Sequence, residues 1–211
     1  MFPFGVFISL PIWEKKEKKE GEGKLEASPH IDECRESIYR KIIERYERLI
    51  EENEAKSVLE LKGLVQPNHA KIEGIANAIK EKRHEYSSET DFSDAASEAV
   101  EFISRIRGVQ LPVSFWLSFE EIGELGVADS MDKCIMLCSL LRALGSPDAV
   151  VFLTKAREVF VGWEFGEKYF LFDAEKNETK KGRKEEMVAQ MKGSLIYTFN
   201  DKEYVDYSEG D

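Results

Sequence analysis

The sequence predicts an α+β fold: a helical bundle first, then one central helix packed on an antiparallel sheet. Three observations carry this. Apolar residues recur at helical spacing up to Gly108, a single further helical stretch covers 129–144, and beyond it the period switches to the two-residue alternation of strands. Helices gathered ahead of the strands, rather than alternating with them, mark an α+β arrangement. The chain divides into an apolar segment and charged linker over 1–27, a helical region over 28–108 and a core over 109–211.

Residues 1–13 are apolar, but carry two prolines and are too short to span a bilayer. They also lack the basic start and small-residue cleavage site of a secretory signal, so the expectation is an extended segment docked on the body of the protein. A membrane-surface or partner anchor is the alternative. Residues 14–25 are a Lys/Glu run with two glycines, a solvated linker. Ser28-Pro29 is a helix-start pair. Ile38, Ile42, Ile43, Tyr46, Leu49 and Ile50 then predict a long helix over about 31–61, with a break near 53–56 and a stop at Gly63. Pro67-Asn68 opens a second helix carrying Ile72, Ile75, Ala76 and Ile79, and Ser93 caps a third with Ala96, Val100, Ile103 and Ile106 on one face.

After Gly108, 112–117 reads as extended and aromatic. Ser118 and Glu121 form a capping-box pair that opens a short helix ending by Gly126. The helix over 129–144 stops at Gly145. Strands follow at 150–154, 158–165 and 168–173, the last two joined at Gly166-Glu167 as a tight hairpin. A basic loop over 176–184, a short helix near 185–191 and a final hairpin, 195–199 with 204–207 turning at Asn200-Asp201, complete the chain.

Composition bounds the function. At 211 residues the chain has room for one sizeable core, and 42% apolar content with 11% aromatics is globular. A net charge of −11 repels polyphosphate, which excludes nucleic acid as a partner. Three cysteines make no disulfide framework and read as free thiols of a reducing cytosol, so the expected location is cytoplasmic. Charged residues reach 34%, dominated by Glu and Lys, the composition heat-adapted proteins show. No integral membrane association, metal or cofactor is implied.

The chemistry-bearing stretch is 129–145. A helix N-terminus supplies free N–H groups and a positive dipole end, which lower the pKa of a nucleophile and hold an oxyanion. A histidine on a neighbouring strand, oriented by an acid on the next, completes a triad. Helix, strand, strand is the order found from Asp129 to Asp173. Ala128-Asp129-Ser130-Met131-Asp132-Lys133 and Ser139-Leu140-Leu141-Arg142-Ala143-Leu144-Gly145 resemble the nucleophile helix of the transglutaminase-like superfamily, the papain-fold group of peptidases, transglutaminases and amidases. Phe119-Glu120-Glu121-Ile122 resembles the short helix before that motif. Trp163-Glu164-Phe165 and Tyr169-Phe170-Leu171-Phe172-Asp173 resemble the family's histidine and aspartate strands. The resemblance covers about 112–175 and implies a papain-like core.

The departures argue against the family's reaction. The resemblance puts the nucleophile position on Ser130, where the family has cysteine, and the histidine between Glu158 and Val161, where no histidine stands. His30, His69 and His84 all lie upstream, and His84 serves as a base only if the fold returns it to Ser130. Asp173 alone matches, either as a vestige or as a direct partner of Ser130. A serine without a base is a weak nucleophile near neutral pH, and losing two members of a cooperative triad removes nearly all of its effect.

The expectation is therefore a catalytically inactive protein that binds a peptide or protein in a cleft made by Asp129, Ser130, Trp163 and Asp173. One alternative is a hydrolase with an altered nucleophile, Ser130 or Cys134. Another is a structural subunit, a homo-oligomer that self-associates through its N-terminal region. Against a role for Cys134 stands its place, with Cys138, Leu137 and Leu141, on a face suited to pack against the sheet. Two thiols alone make no metal site. Asp129 and Asp132 read as capping and dipole-complementing residues, with a carboxylate pair facing a substrate or metal ion as the sharper alternative.

Overall fold

The structure, a computed structural model, describes residues 29–111, 113, 115–191 and 194–207. The expectations for 1–27 lie outside them. The chain forms two units, Met1–Glu44 and Arg45–Asp211. Helix α1, Pro29–Glu54, begins in the first and ends in the second. Of the apolar residues that predict it, Ile38, Ile42, Tyr46 and Leu49 are exposed, and Ile43 and Ile50 are only partly buried. The break before α2 (Val58–Leu64) falls at 55–57. There Ser57 and Glu60 make a capping box that the reading as one helix passed over.

Within the second unit α3 (Ala70–Lys80) and α4 (Phe92–Arg105) start one or two residues away from expectation. His69, rather than Pro67-Asn68, caps α3 by accepting from the Lys71 N–H. Asp91 occupies the N-cap position of α4, its carboxylate turned back to the Ser87 N–H, and Ser93 lies inside the helix. Arg107–Gly108 (β1) pairs in parallel with Val127–Ala128 (β2), a two-residue ladder too short to leave a periodic signal. Between them α5, Phe119–Leu125, opens on the expected Ser118–Glu121 capping box.

Helix α6, Ser130–Ala143, is buried from Asp132 to Leu141 without interruption. Helices α3 and α4 press on it with Ile72, Ala76, Ile79, Ala95, Ala99 and Ile103, and the sheet covers the rest. Each fully buried leucine of α6 contributes about 1.5–3 kcal/mol relative to exposure. Gly145, at φ 107, takes the left-handed position that lets the Ser146 N–H reach Leu141 O and the Gly145 N–H reach Arg142 O, the paired bonds of a Schellman cap. Lys80 Nζ and Tyr86 Oη satisfy the last carbonyls, on Ala143 and Leu144.

The sheet is antiparallel with strand order β6-β5-β4-β3-β7-β8, so the α+β expectation holds. Its strands are β3 (Val150–Thr154), β4 (Val159–Phe165), β5 (Lys168–Asp173), β6 (Glu178–Gly182), β7 (Leu195–Phe199) and β8 (Tyr204–Asp206). Gly166, at φ 62, makes the two-residue turn between Phe165 and Lys168. Alternation separates the faces. Val151, Val159, Val161, Trp163, Phe172 and Phe199 join the α6 core, while Phe152, Tyr169, Leu171 and Leu195 form a second cluster with Met191 of α7 (Lys184–Met191).

Most of the basic loop expected over 176–184 is the edge strand β6. Its Glu178, Thr179, Lys180 and Lys181 are exposed, so no hydrophobic alternation betrays it. Lysines on an edge discourage further pairing, which is their ordinary use there.

Arg142 locks the end of α6 to the β7–β8 turn. Its guanidinium donates to both oxygens of Asp201 (2.6 and 3.3 Å) and to the carbonyls of Ser146 and Pro147. Arg142→Met leaves Asp201 half-desolvated and strips two carbonyls of their donor. A loss of about 3 kcal/mol is expected, the lower end for breaking a buried pair, measured as the shift in urea unfolding free energy.

Candidate functional site

The first turn of α6 is built as the sequence predicts. Asp129 is the N-cap, its Oδ1 accepting from the Asp132 N–H at 2.8 Å, and Ser130 is the first helical residue. Ser130 is half-buried, and its hydroxyl makes no hydrogen bond among the described residues. The positions where a histidine is expected carry none of its chemistry. Glu158 is exposed, Val159 and Val161 are packed in the α6 core, and Phe160 faces the second cluster.

His84 sits in the turn after α3, close in sequence to Tyr86, which bonds Leu144 at the C-terminal end of α6. That end lies about 20 Å from Ser130, the length of a helix of this size. His69 is committed elsewhere: Nδ1 accepts from the Lys71 N–H at 3.3 Å and Nε2 lies 3.6 Å from Glu120.

Asp173 stands opposite Phe160 in the ladder and shares the parity of Tyr169 and Leu171, not that of Phe170 and Phe172, which pack against α6. Its carboxylate accepts from the backbone of Glu175 and Lys176 (3.1 Å each) and from Lys176 Nζ (2.8 Å). Burial pushes this carboxyl up, but these donors outweigh it and hold it below its ordinary value. Asp173 thus fastens the turn after β5. Trp163 is buried and stacked on Phe170 at 5.4 Å, so its ring joins the core and does not line the cavity beside the first turn of α6.

Cys134 and Cys138 are fully buried free thiols. Burial above all, reinforced for Cys134 by Cys138, Asp173 and Asp129, raises both thiols well above the ordinary range, so neither is a thiolate at neutral pH. Among the described residues no group of three or more His, Cys, Asp or Glu is placed to hold a metal ion. No described helix is long and apolar enough to cross a membrane.

What the sequence reading missed is the desolvation of the next two residues. Asp132 is 3% exposed and Lys133 1%. Lying on adjacent helix positions, they diverge. Lys133 reaches toward Gly108 and Asn177, its Nζ 3.5 Å from Asn177 Oδ1, and burial lowers its ammonium's pKa. Asp132 faces a cavity of about 370 Å³ with Glu54, Lys56, His69, Trp116 and Phe119 in its lining. Its Oδ2 takes one long bond from the Leu117 N–H (3.4 Å), and the carboxyl accepts no other hydrogen bond among the described residues. Burial, then the charge of Asp129, pushes the Asp132 carboxyl up to about 8, and burial raises Asp129 too. The sequence cue was present, since Asp129 and Asp132 frame one turn, but capping explains that pattern without burial.

No family model matches the chain, and no curated protein matches it. Among solved structures it is similar to LapG of Legionella pneumophila, at 14% identity over 80% of this chain and 89% of that one, with a TM-score of 0.47. The EGTA-treated form of LapG gives 12% identity over 80% and 87%, with a TM-score of 0.48. The calcium-bound form gives 14% over 64% and 87%, with a TM-score of 0.41.

Two measurements follow. In a Cys34→Ser background, a maleimide probe is expected to leave Cys134 and Cys138 unlabelled in the native state and to label both in denaturant; native labelling of Cys134 contradicts its burial. Asp132 gives a pH signature. Its folded pKa lies above its unfolded value, so folding binds a proton and stability falls as pH rises from about 4 to about 8, by up to about 1.4 kcal/mol per unit. Asp132→Asn is expected to flatten that limb and to raise stability at pH 8, read from urea unfolding against the wild type.

Proposed function

We propose that this protein is a transglutaminase-like, papain-like module that binds a peptide or protein partner and does not hydrolyse it. The observation that carries the reading is the Ser130 hydroxyl at the head of α6, which makes no hydrogen bond to a base among the described residues. A serine so placed has the N–H groups and dipole of a helix start but nothing to take its proton, and its nucleophilicity stays that of an ordinary alcohol. Asp173, the one triad position whose letter is kept, spends its oxygens on the turn of Glu175 and Lys176.

The altered-nucleophile alternative finds no support at Cys134, whose thiol is sealed between α6 and the sheet. Binding remains open to the protein. The first turn of α6 still borders an accessible cavity with aromatic walls, and an acidic chain of net charge −11 suits basic rather than polyanionic partners.

Fluorogenic peptide and amide substrates are expected to turn over no faster with the protein than without it, and Ser130→Ala is expected to behave as the wild type. Hydrolysis that disappears in Ser130→Ala overturns the proposal.

A further inference from the structure

We propose that the cavity beside the first turn of α6 is a recognition site for an arginine side chain of a peptide partner, with the guanidinium held between the Trp116 indole and the Asp132 carboxylate. Three features point to a cation. First, Asp132 is almost wholly buried and lines the cavity, and the hydrogen bond its carboxyl accepts among the described residues is the long one, 3.4 Å, from the Leu117 N–H to Oδ2. A carboxyl so sparsely hydrogen-bonded at a cavity wall gains when a charged donor arrives. Second, the surrounding charge is predominantly negative. Asp129 on the same turn, Glu121 on α5 and Glu54 in the cavity wall all lie near it. Of the basic groups, His69 is tied to Lys71 and Glu120, Lys133 turns toward Asn177, and Lys56 stands in the cavity wall without bonding Asp132 among the described residues.

Third, the walls suit a planar, weakly hydrated cation. The Trp116 indole is fixed by its Nε1–H donating to Glu54 O at 2.7 Å, and Phe119 is set edge-on by the His69 ring at 5.1 Å. A guanidinium stacks on such a face and presents a fork of donors to a carboxylate, which a compact ammonium does less well. The volume of about 370 Å³ is within the range of small-ligand sites.

In the empty site Asp132 holds a proton at neutral pH, because it is desolvated and faces Asp129 and Glu121. An incoming guanidinium takes the proton's place, the carboxyl releasing H⁺ to solvent as the ion pair forms. Affinity therefore rises with pH until Asp132 is ionised without ligand, and then levels off. The inference deepens the peptide-binding reading. Ser130-dependent hydrolysis would remove that reading and leave this site standing, whereas failure of the ligand to bind removes this site alone.

The test is calorimetric titration of the full chain with N-acetyl-arginine methylamide and with its neutral isostere, the blocked citrulline. The expected result is arginine binding that strengthens by up to about tenfold per pH unit between pH 6 and 8. Citrulline is expected to bind at least tenfold more weakly. Asp132→Asn, which keeps the shape of the side chain, and Trp116→Leu are each expected to weaken arginine binding at least tenfold while the fold, followed by circular dichroism, persists. The proposal is overturned if arginine does not bind at millimolar concentration, if citrulline binds equally, or if Asp132→Asn binds as the wild type. Affinity that falls as pH rises also overturns it, since binding would then take up a proton instead of releasing the one on Asp132.

Discussion

Everything in the second unit depends on enclosing α6 on all sides. Helices α3 and α4 cover it from one direction and β3 and β4 from the other, so that from Asp132 to Leu141 no residue keeps more than a small contact with water. A helix of this kind has no polar face, and its sequence shows a continuous apolar body, Cys134–Leu141, interrupted only by Ser139. Even that serine is absorbed, donating to Ile135 O and accepting from the Gln66 N–H, which ties the end of the α2 region to the helix.

Enclosure has a consequence at the helix start that capping chemistry alone does not. An acid at the third helical position ordinarily gains from the dipole and stays charged. Here the same acid is taken out of water beside a second carboxyl, and desolvation outweighs the dipole. Lys133 suffers the mirror effect, its ammonium depressed by burial. Two oppositely ionisable neighbours could have neutralised each other, but adjacent positions on a helix point in different directions, and each meets its own surroundings. The first turn thus stores unrelieved electrostatic cost at the rim of a cavity, the condition under which a ligand charge has most effect.

The fold was legible where local chemistry decides it. The Ser118–Glu121 box, the Gly145 stop and the turn at Gly166 each need particular residues at particular offsets, and each stands where expected. The strands β3, β5 and β7 were legible because one or both faces are buried and the pattern shows it. What escaped were elements whose signal is not hydrophobic. The edge strand β6 is held by its ladder with β5 and has no apolar side to display, and the β1–β2 pair is too short for any period. At the site, that no histidine follows His84 is readable from composition. The burial of Asp132 and Lys133 was not, because charged letters at a helix start describe a solvated cap as well as a desolvated turn.

On β4 the side chains that face α6 are packed in its core. Val161, the α6-facing position nearest the resembling Trp163-Glu164-Phe165 strand, is fully buried among Phe172 and the core of α6. An imidazole there adds volume to a filled site, which costs about 1–3 kcal/mol, and places polar nitrogens where no partner awaits them. Asp173, which in a triad would orient that ring, sits on the opposite parity and is already satisfied by Lys176. Placing a cysteine at Ser130 and a histidine on β4 therefore does not by itself set up the geometry of a triad. The α6-facing side of β4 belongs to the core, and at the helix start it is Asp132 that borders a cavity.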